Sequence, residues 1–389
     1  MDNHSRYLRN WPVLRPIVTF FMKLVFNLKT PKYSVEGPYL VLCNHVMDLD
    51  PLAVGVGMQK QMYFVASEHI MRLGFISKVL DYLAGIITRQ KGGSAAGTVK
   101  AILRHLKAGH NVCFFPEGNR SWDGVTRSFP ASTGKLVRSC GCTLVTYRLS
   151  GGYFSNPRWA GARLRRGQLT GQLVGTYSPE ELRAMSVEEI NGIIARDLYE
   201  DAYELQRAKP IKFRSINRAH HLETLLFTCP KCGAMHKMRS RGHKFYCESC
   251  GMETLYRSDC FFEGGQLPFD NVRDWNAWQE TQIEKLCNEA TDQPIFTDTD
   301  MILRIVDSAK DAELVGVGTM TLYKDRLELP GGVVLQRDEI SGMSLRGAIN
   351  LYIGTPDGRH YELKSKKVRC TVKYLSACGY LGCPVGAGV

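Results

Sequence analysis

Short apolar runs alternate with helical patterns along the first 150 residues of the chain. The runs predict four buried strands, over residues 39–43, 62–66, 85–88 and 111–115. Between them, helical spacing predicts a helix from Pro51, a second over residues 75–83 and a third that contains Val99, Ile102 and Leu106. Strands that alternate with helices are typical of an α/β fold, so we predict a mixed, largely parallel sheet covered by helices.

The later part of the chain has a different pattern. A polar helical segment is predicted over residues 179–207, and another helix over 275–287. Between residues 301 and 374, alternating strands are separated by the turn sequences Pro330-Gly331-Gly332 and Pro356-Asp357-Gly358, and a helical pattern follows near 368–377. This part predicts a small β-rich domain that ends in a helix.

The N-terminus carries the longest apolar stretch, residues 17–28, which Lys23 interrupts. It is shorter than the ~20 residues that cross a bilayer. One interpretation is a helix that lies on a membrane, because aromatic and basic groups suit an anionic interface and Trp11, Arg9, Arg15 and Lys29 flank the stretch. The other is an amphipathic helix docked on the protein's own core, and periodicity does not separate the two.

Charge adds a preference for anions. The 389 residues carry a net charge of +12, and residues 1–228 hold 30 basic against 17 acidic side chains, while residues 229–389 hold 20 against 21. A basic first part indicates nucleic acid, a membrane surface or a phosphorylated substrate as partner. The 13 cysteines, an odd number, and the lack of a secretory signal indicate a protein retained in a reducing compartment inside the cell.

Two polar loops follow predicted strands and hold the candidate chemistry. The first contains His45 and Asp50, and the Asp50-Pro51 pair supplies a turn that lets the carboxylate reach the imidazole. Alternatively, Asp50 only caps the helix that begins at Pro51, and His45 is an ordinary residue at a strand end. The second loop contains Glu117, Gly118 and Arg120, a set suited to gripping a phosphate, since Arg offers paired hydrogen bonds and Gly admits close backbone approach.

The segments NHVMDLD and FPEGNRS resemble the first and third blocks of the glycerolipid acyltransferases related to bacterial lysophosphatidate acyltransferase. The segment GIITR, which ends at Arg89, is similar to the second block, and the resemblance covers roughly residues 10–205. It implies that this part transfers a fatty acyl group from acyl-CoA or acyl carrier protein to a lysophospholipid hydroxyl, with lysophosphatidate converted to phosphatidate. The resemblance leaves open whether the acceptor is instead another lysolipid or a glycolipid. The implied location is the cytoplasmic face of a membrane, as a peripheral or monotopic protein in contact with phospholipid.

The resemblance also implies roles for residues. His45 would be the general base and Asp50 would fix its tautomer, while Arg89 and Arg120 would hold the acceptor phosphate. Glu117 would orient Arg120 or a backbone amide. A covalent acyl-cysteine at Cys43 is the alternative mechanism, because strand alternation points Cys43 and His45 to one side. A buried cysteine is more often a small core residue, which favours the general base.

Cys229, Cys232, Cys247 and Cys250 form two Cys-x-x-Cys pairs separated by fourteen residues. This spacing is typical of a zinc ribbon, in which four thiolates bind a structural Zn²⁺ and leave no open position. His236 and His243 are expected on the surface of the intervening hairpin. A ribbon raises the alternative of a nucleic-acid-binding protein, but the near-neutral charge of residues 229–389 disfavours it, so we expect no nucleic-acid partner.

The predicted organisation has four parts. They are a membrane-associating segment over 1–34, an acyltransferase domain over 35–215, a zinc ribbon over 225–260 and a β-rich domain over 295–380. The last is loosely similar to a pleckstrin-homology barrel; alternatively, it is a small interaction domain that packs on the enzyme.

Overall fold

The computed structural model describes residues 3–67, 82, 85–89, 96–264, 266–306 and 312–385, and these form two compact units. The first unit contains the chain up to Asn156 together with Leu164–Phe213. The second contains Pro157–Arg163 and the chain from Arg214 onward. The helix predicted over residues 75–83 lies outside the described residues, Tyr82 excepted.

A six-stranded sheet forms the centre of the first unit, in the order β3-β2-β4-β1-β5-β6. All neighbouring strands are parallel except β5 and β6, which are antiparallel. The mixed, largely parallel sheet is therefore confirmed. The strands are β1 (Tyr39–Cys43), β2 (Tyr63–Ser67), β3 (Ile86–Arg89), β4 (Val112–Phe114), β5 (Thr143–Ser150) and β6 (Thr170–Tyr177).

Helices cover both faces of this sheet because alternate residues of each strand point to opposite sides. Tyr39, Val41 and Cys43 of β1 pack in one apolar cluster, and Leu40 and Leu42 pack in another on the opposite face. The described helices of this unit are α1 (Asn3–Phe26), α2 (Asp50–Met58), α3 (Ala96–Lys107), α4 (Ser132–Cys140), α5 (Gly152–Ser155), α6 (Pro179–Ala184), α7 (Val187–Leu198) and α8 (Ala202–Ala208). Helix α2 and the end of α1 pack in the first cluster, whereas α3, α4 and α7 pack in the second together with Tyr7 of α1.

Helix α1 has one face on the core and another that is open. Met22 and Phe26 are fully buried, and the Trp11 indole N–H donates to the Gln59 carbonyl at 2.6 Å. Trp11 thus contacts the end of α2, which agrees with the interpretation that this helix docks on the protein's own core. Apolar side chains still line the open face, where Ile17 and Phe20 are 62% and 69% exposed. Within the described residues, no helix combines the length and apolarity needed to span a bilayer.

The second unit contains two antiparallel sheets. One has the order β10-β9-β8-β7 and the other the order β14-β13-β12-β11-β17-β16-β15. The strands of the smaller sheet are β7 (Met238–Arg241), β8 (Lys244–Cys247), β9 (Glu253–Tyr256) and β10 (Phe262–Glu263). Those of the larger sheet are β11 (Phe296–Ile305), β12 (Glu313–Leu322), β13 (Arg326–Leu329), β14 (Val333–Gln336), β15 (Gly342–Arg346), β16 (Asn350–Gly354) and β17 (His360–Ser365).

Two helices complete the second unit, α9 (Val272–Glu289) and α10 (Val372–Tyr380), the latter after the last strand as predicted. The likeness to a pleckstrin-homology barrel stays a prediction. One expectation is wrong: His236 does not lie on the hairpin surface. Its ring stacks on Phe227 and lies 3.3 Å from the buried amine of Lys373.

Candidate active site

The two polar loops lie side by side at one edge of the first unit's sheet. Strands β1 and β4 are parallel neighbours, with Leu42 opposite Phe114, so both chains leave the sheet at the same edge. The backbone N–H of Ser121 then donates to the His45 carbonyl at 3.2 Å. In open α/β sheets this carboxyl edge is where ligands bind.

His45 and Asp50 are in direct contact within the first loop. The distance from His45 Nδ1 to Asp50 Oδ2 is 2.8 Å, and the imidazole ring stacks on Phe115 with 4.7 Å between ring centres. The Asp50 side chain is fully buried, whereas that of His45 is 23% exposed. The acid therefore fixes one ring nitrogen and leaves Nε2 for a ligand.

Asp50 does not act as a helix cap. The capping position of α2 is Leu49, which makes no side-chain cap bond, so the capping interpretation is wrong. Instead, Asp50 Oδ2 also accepts the backbone N–H groups of Val46 and Met47, at 2.7 and 3.0 Å. Burial raises the pKa of Asp50 above its ordinary value, while His45 and these amides oppose the rise.

Glu117 is buried and binds the backbone of both loops. It is 1% exposed, and its two oxygens accept the backbone N–H groups of His45 at 2.7 Å and Arg127 at 2.8 Å. Burial raises the pKa of this carboxyl to about 7. Of the sequence interpretations, the geometry matches orientation of a backbone amide. It does not match direct binding of a substrate, because the carboxyl group is enclosed.

Gly118 and Arg89 meet at the same edge. Gly118 has a φ of +71°, a left-handed conformation that favours glycine, and a Cβ at this position would lie 3.2 Å from Arg89 Nη1. Arg89 is the last residue of β3 and is partly exposed. The Arg89 guanidinium and the backbone at Gly118 thus lie at the same edge of the sheet as the loop that carries His45 and Asp50.

Arg120 binds protein groups in this structure. Its Nε lies 3.0 Å from Asp48 Oδ1, and its Nη1 donates to both oxygens of Asn156 at 3.0 Å. The Asp48 side chain is 66% exposed, but that of Arg120 is only 10% exposed. An incoming phosphate would reach this guanidinium by exchanging with Asp48.

Cys43 is poorly suited to covalent catalysis. Its side chain is fully buried, and desolvation raises the pKa of the thiol well above its usual range. The nucleophilic form of cysteine is the thiolate, which this environment disfavours.

Two buried residues near His45 were missed by sequence reasoning. Asn44 bridges to β5, accepting from the Leu149 N–H at 2.8 Å and donating to the Leu149 carbonyl at 2.9 Å. It also donates to Glu200 Oε2 at 3.0 Å. Asn44 adjoins the recognised histidine, which was an available signal. Glu200 follows α7 at a distance of 155 residues from His45, and no local pattern marks it.

The four cysteines of the second unit converge in a separate cluster. All four sulfur atoms lie within 4.8 Å of one another, with 3.7 Å between those of Cys229 and Cys250 and 3.9 Å between those of Cys232 and Cys247. Four thiolates at the Zn–S bond length of about 2.3 Å define tetrahedral edges of about 3.8 Å. The cluster therefore fits a tetrahedral metal ion.

Comparison with known proteins agrees with the geometry of the first unit. A family model for acyltransferase domains matches residues 25–150. This range includes the candidate site residues His45, Asp50, Arg89, Gly118 and Arg120. A 1-acyl-sn-glycerol-3-phosphate acyltransferase of Borreliella burgdorferi is 27% identical over 112 residues, which are 28% of this chain and 44% of that protein. The chain thus matches less than half the length of this relative.

A solved structure is also similar: the 1-acyl-sn-glycerophosphate acyltransferase PlsC from Thermotoga maritima, with 18% sequence identity and a TM-score of 0.38 over 50% of this chain and 80% of that one. The family match covers the part of the chain that carries the two loops. Residues 25–150 therefore match the acyltransferase domain family, and the curated relative is named as a 1-acyl-sn-glycerol-3-phosphate acyltransferase.

Proposed function

We propose that the first unit transfers a fatty acyl group from an acyl thioester to the free hydroxyl of a lysophospholipid. The observation that carries this proposal is the 2.8 Å contact between His45 Nδ1 and the fully buried Asp50, at the ligand-binding edge of the sheet. A histidine held in this way is suited to remove a proton from a hydroxyl group.

In the proposed reaction, His45 Nε2 takes the proton of the acceptor hydroxyl as that oxygen attacks the thioester carbonyl. The C–S bond then breaks, and the leaving sulfur takes the proton from the imidazolium. The products are an ester and a free thiol. Asp50 stabilises the transient imidazolium, and Glu117 holds the His45 backbone in place through its 2.7 Å hydrogen bond.

Arg89 and Arg120 would bind the acceptor phosphate. Arg89 borders Gly118, where the lack of a side chain leaves room for the ligand. Arg120 would exchange the exposed carboxylate of Asp48 for the phosphate and keep its bonds to Asn156. The acceptor proposed first is lysophosphatidate, giving phosphatidate, as the name of the Borreliella relative suggests. Another lysolipid or a glycolipid is the alternative acceptor, and acyl-CoA and acyl carrier protein are both retained as donors.

We further propose that α1 rests on the cytoplasmic face of a phospholipid membrane. Its open face presents Ile17, Phe20 and Leu24 at helical spacing, each more than half exposed. Exposed basic residues, Arg9 and Lys23, belong to the same helix and suit anionic headgroups. This arrangement would hold the carboxyl edge of the sheet near its lipid acceptor.

For the second unit, we propose that Cys229, Cys232, Cys247 and Cys250 hold a structural Zn²⁺. Both Cys-x-x-Cys turns are closed in the same way, with Gly233 donating to Cys229 and Gly251 donating to Cys247. Four thiolates leave a bound ion no position for substrate, so the ion would stabilise the fold only. The predicted division into ribbon and β-rich domain is retained in this proposal.

An acceptor screen tests the proposed reaction. Purified full-length protein is mixed with acyl-CoA or acyl carrier protein and with single lysolipids, and thiol release is followed with a chromogenic disulfide. Thiol release that depends on a lysolipid and vanishes in His45→Ala supports the proposal. Release that is independent of acceptor, or salt-sensitive binding of DNA or RNA without any release, would contradict it.

A further inference from the structure

A large cavity lies in the first unit, apart from His45. Its volume is about 1180 Å³, and its walls come from the end of α1 and the segment after it, from β5 and β6, and from residues 199–213. His45, Asp50, Arg89 and Arg120 are not among its lining residues. A cavity somewhat larger than a usual ligand pocket of about 300–1,000 Å³ thus exists outside the proposed active site.

Basic side chains surround the cavity. Lys23, Lys29, Arg148 and Lys209 line it from four different segments of the chain. The three lysines are exposed, and within the described residues they form no ion pair. Asp201 and Glu204 also line the cavity, but neither is paired with these lysines, so the lysines are available to a phosphate.

A buried carboxyl group with one unsatisfied oxygen belongs to the residues that line the cavity. Glu200 is 3% exposed; its carboxyl group interacts with the Gly151 backbone N–H and accepts from Asn44 at Oε2, but its Oε1 is buried without a hydrogen bond of good geometry. A buried polar atom without a partner is costly, so a ligand that satisfies it would gain affinity. Aromatic and apolar side chains, including Tyr33, Phe154 and Phe213, complete the walls.

We propose that this cavity is a second ligand site, which binds the phosphate-bearing end of an amphiphilic molecule through Lys23, Lys29, Arg148 and Lys209 and through a hydrogen bond from Glu200. The phosphate comes from one of two sources, the nucleotide end of a CoA thioester or the headgroup of an anionic lipid. The cavity does not include Arg89, which is proposed to hold the acceptor. If no ligand binds in the cavity, the reaction proposed at His45 is therefore not contradicted.

The protonation of Glu200 agrees with this role. Burial raises its pKa to about 8, against the lowering effects of Gly151, Asn44 and Arg148, so the group is largely protonated at neutral pH and able to donate to a phosphate oxygen. The charged groups around it are Arg148 from β5, Asp50 from α2, the adjacent Asp201, Glu204 from α8 and the cavity lysines.

Calorimetric titration of the full-length protein tests the site with four soluble probes: CoA, inorganic phosphate, dihexanoyl phosphatidate and dihexanoyl phosphatidylcholine. We expect CoA or the phosphatidate to bind, and the tighter of the two identifies the source of the phosphate. Inorganic phosphate measures the contribution of the anion alone. The triple variant K23A/K29A/K209A should bind at least about tenfold more weakly.

The matched control is K100A/K107A/K135A, which removes three exposed lysines of α3 and α4 and the same charge. It should bind like the wild type. Equal loss in both triple variants, or binding of phosphatidylcholine as tight as that of phosphatidate, would overturn the proposal. So would a lack of binding by CoA and phosphatidate alike.

A pH series provides an independent test. With CoA as the probe, the wild type should lose roughly tenfold in affinity between pH 7 and pH 9, since Glu200 ionises near pH 8 whereas the phosphate monoester, with a second pKa of about 6, is already largely ionised at pH 7. Glu200→Gln keeps an acceptor for Asn44 and a donor for the ligand, so its affinity should not change over this interval. Parallel losses in the wild type and Glu200→Gln would exclude Glu200 from the site.

Discussion

The carboxylate of Asp50 lies 2.8 Å from Nδ1 of His45, and the same carboxylate oxygen accepts the backbone N–H groups of Val46 and Met47. One buried oxygen therefore fixes both the imidazole ring and the loop that carries it. The histidine is preorganised before any substrate binds, and the ring and the loop respond together to a change at Asp50.

Replacement of His45 should greatly slow the reaction, whereas replacement of Cys43 should not. His45→Ala removes the proposed base, and we expect turnover to fall by a factor of about 10²–10⁴. Cys43→Ala removes a buried thiol from the same strand end and should retain most activity. Both are compared by thiol release under saturating acceptor. Full activity in His45→Ala with loss in Cys43→Ala would establish the acyl-cysteine mechanism instead.

Asp50→Asn should reduce kcat far more than it changes KM for the acceptor. Asparagine can still accept the two loop amides, but it carries no charge to stabilise an imidazolium, so we expect a loss of about 10²–10⁴ in kcat. Steady-state kinetics separates the two constants. Asp338→Asn, at an exposed position of the second unit, is the control for the charge change. A large rise in KM with unchanged kcat would indicate a purely structural role for Asp50.

Local patterns revealed the reacting groups but not the residues that hold them. The strand β1 and the loop after it follow from an apolar run that ends in polar residues, and the sequence order His45 to Asp50 fits within one loop. Asn156, which binds Arg120, and Glu200, which binds Asn44, come from segments over 30 residues away in the chain. Such pairs depend on tertiary packing, and no periodicity in the sequence encodes them.

The N-terminal helix illustrates the same limit in another form. The sequence allowed two interpretations of this helix, docking on the core and lying on a membrane. Some residues of the helix agree with the first interpretation and others with the second. Met22 and Phe26 are buried in the first unit, while Ile17 and Phe20 are exposed. Apolar periodicity indicates that one face of a helix is buried against some apolar surface. Only the packed structure shows which residues of that face are buried against the protein itself.

Arg89→Ala should weaken acceptor binding. Loss of a guanidinium that binds phosphate is expected to raise KM for a phosphorylated lysolipid by about tenfold or more, with a smaller effect on kcat. Lysine at this position should restore part of the affinity, because it keeps the charge but not the planar donor pair. Arg138→Ala, on the exposed side of α4, is the matched control. An equal effect of both alanine variants would argue against a phosphate site at Arg89.

Removal of the four-cysteine cluster should release metal and destabilise the second unit. Metal analysis of the purified wild type is expected to find one zinc per chain, and C232S/C247S should contain almost none. The double variant and chelator-treated wild type should both unfold at lower urea concentration. Cys287→Ala, a buried cysteine outside the cluster, should keep its metal. Metal-free wild type with unchanged stability would contradict a structural ion.

Glu200 should make the first unit less stable as pH rises. Its pKa is about 8 in the folded chain against an ordinary value of 4.5, so the folded state binds the proton more tightly than the unfolded state. The contribution of Glu200 to the free energy of unfolding is complete below pH 4.5 and declines until about pH 8, by a few kcal/mol at most, since one pKa unit corresponds to about 1.4 kcal/mol.

Glu200→Gln mimics the protonated group and should lack this decline, so its urea midpoint should exceed that of the wild type at pH 8 and match it near pH 4.5. Glu188→Gln, on the exposed side of α7, should follow the wild type at both values. Parallel curves for the wild type and Glu200→Gln would mean that Glu200 is ionised in the folded protein at neutral pH, with its second oxygen satisfied by water.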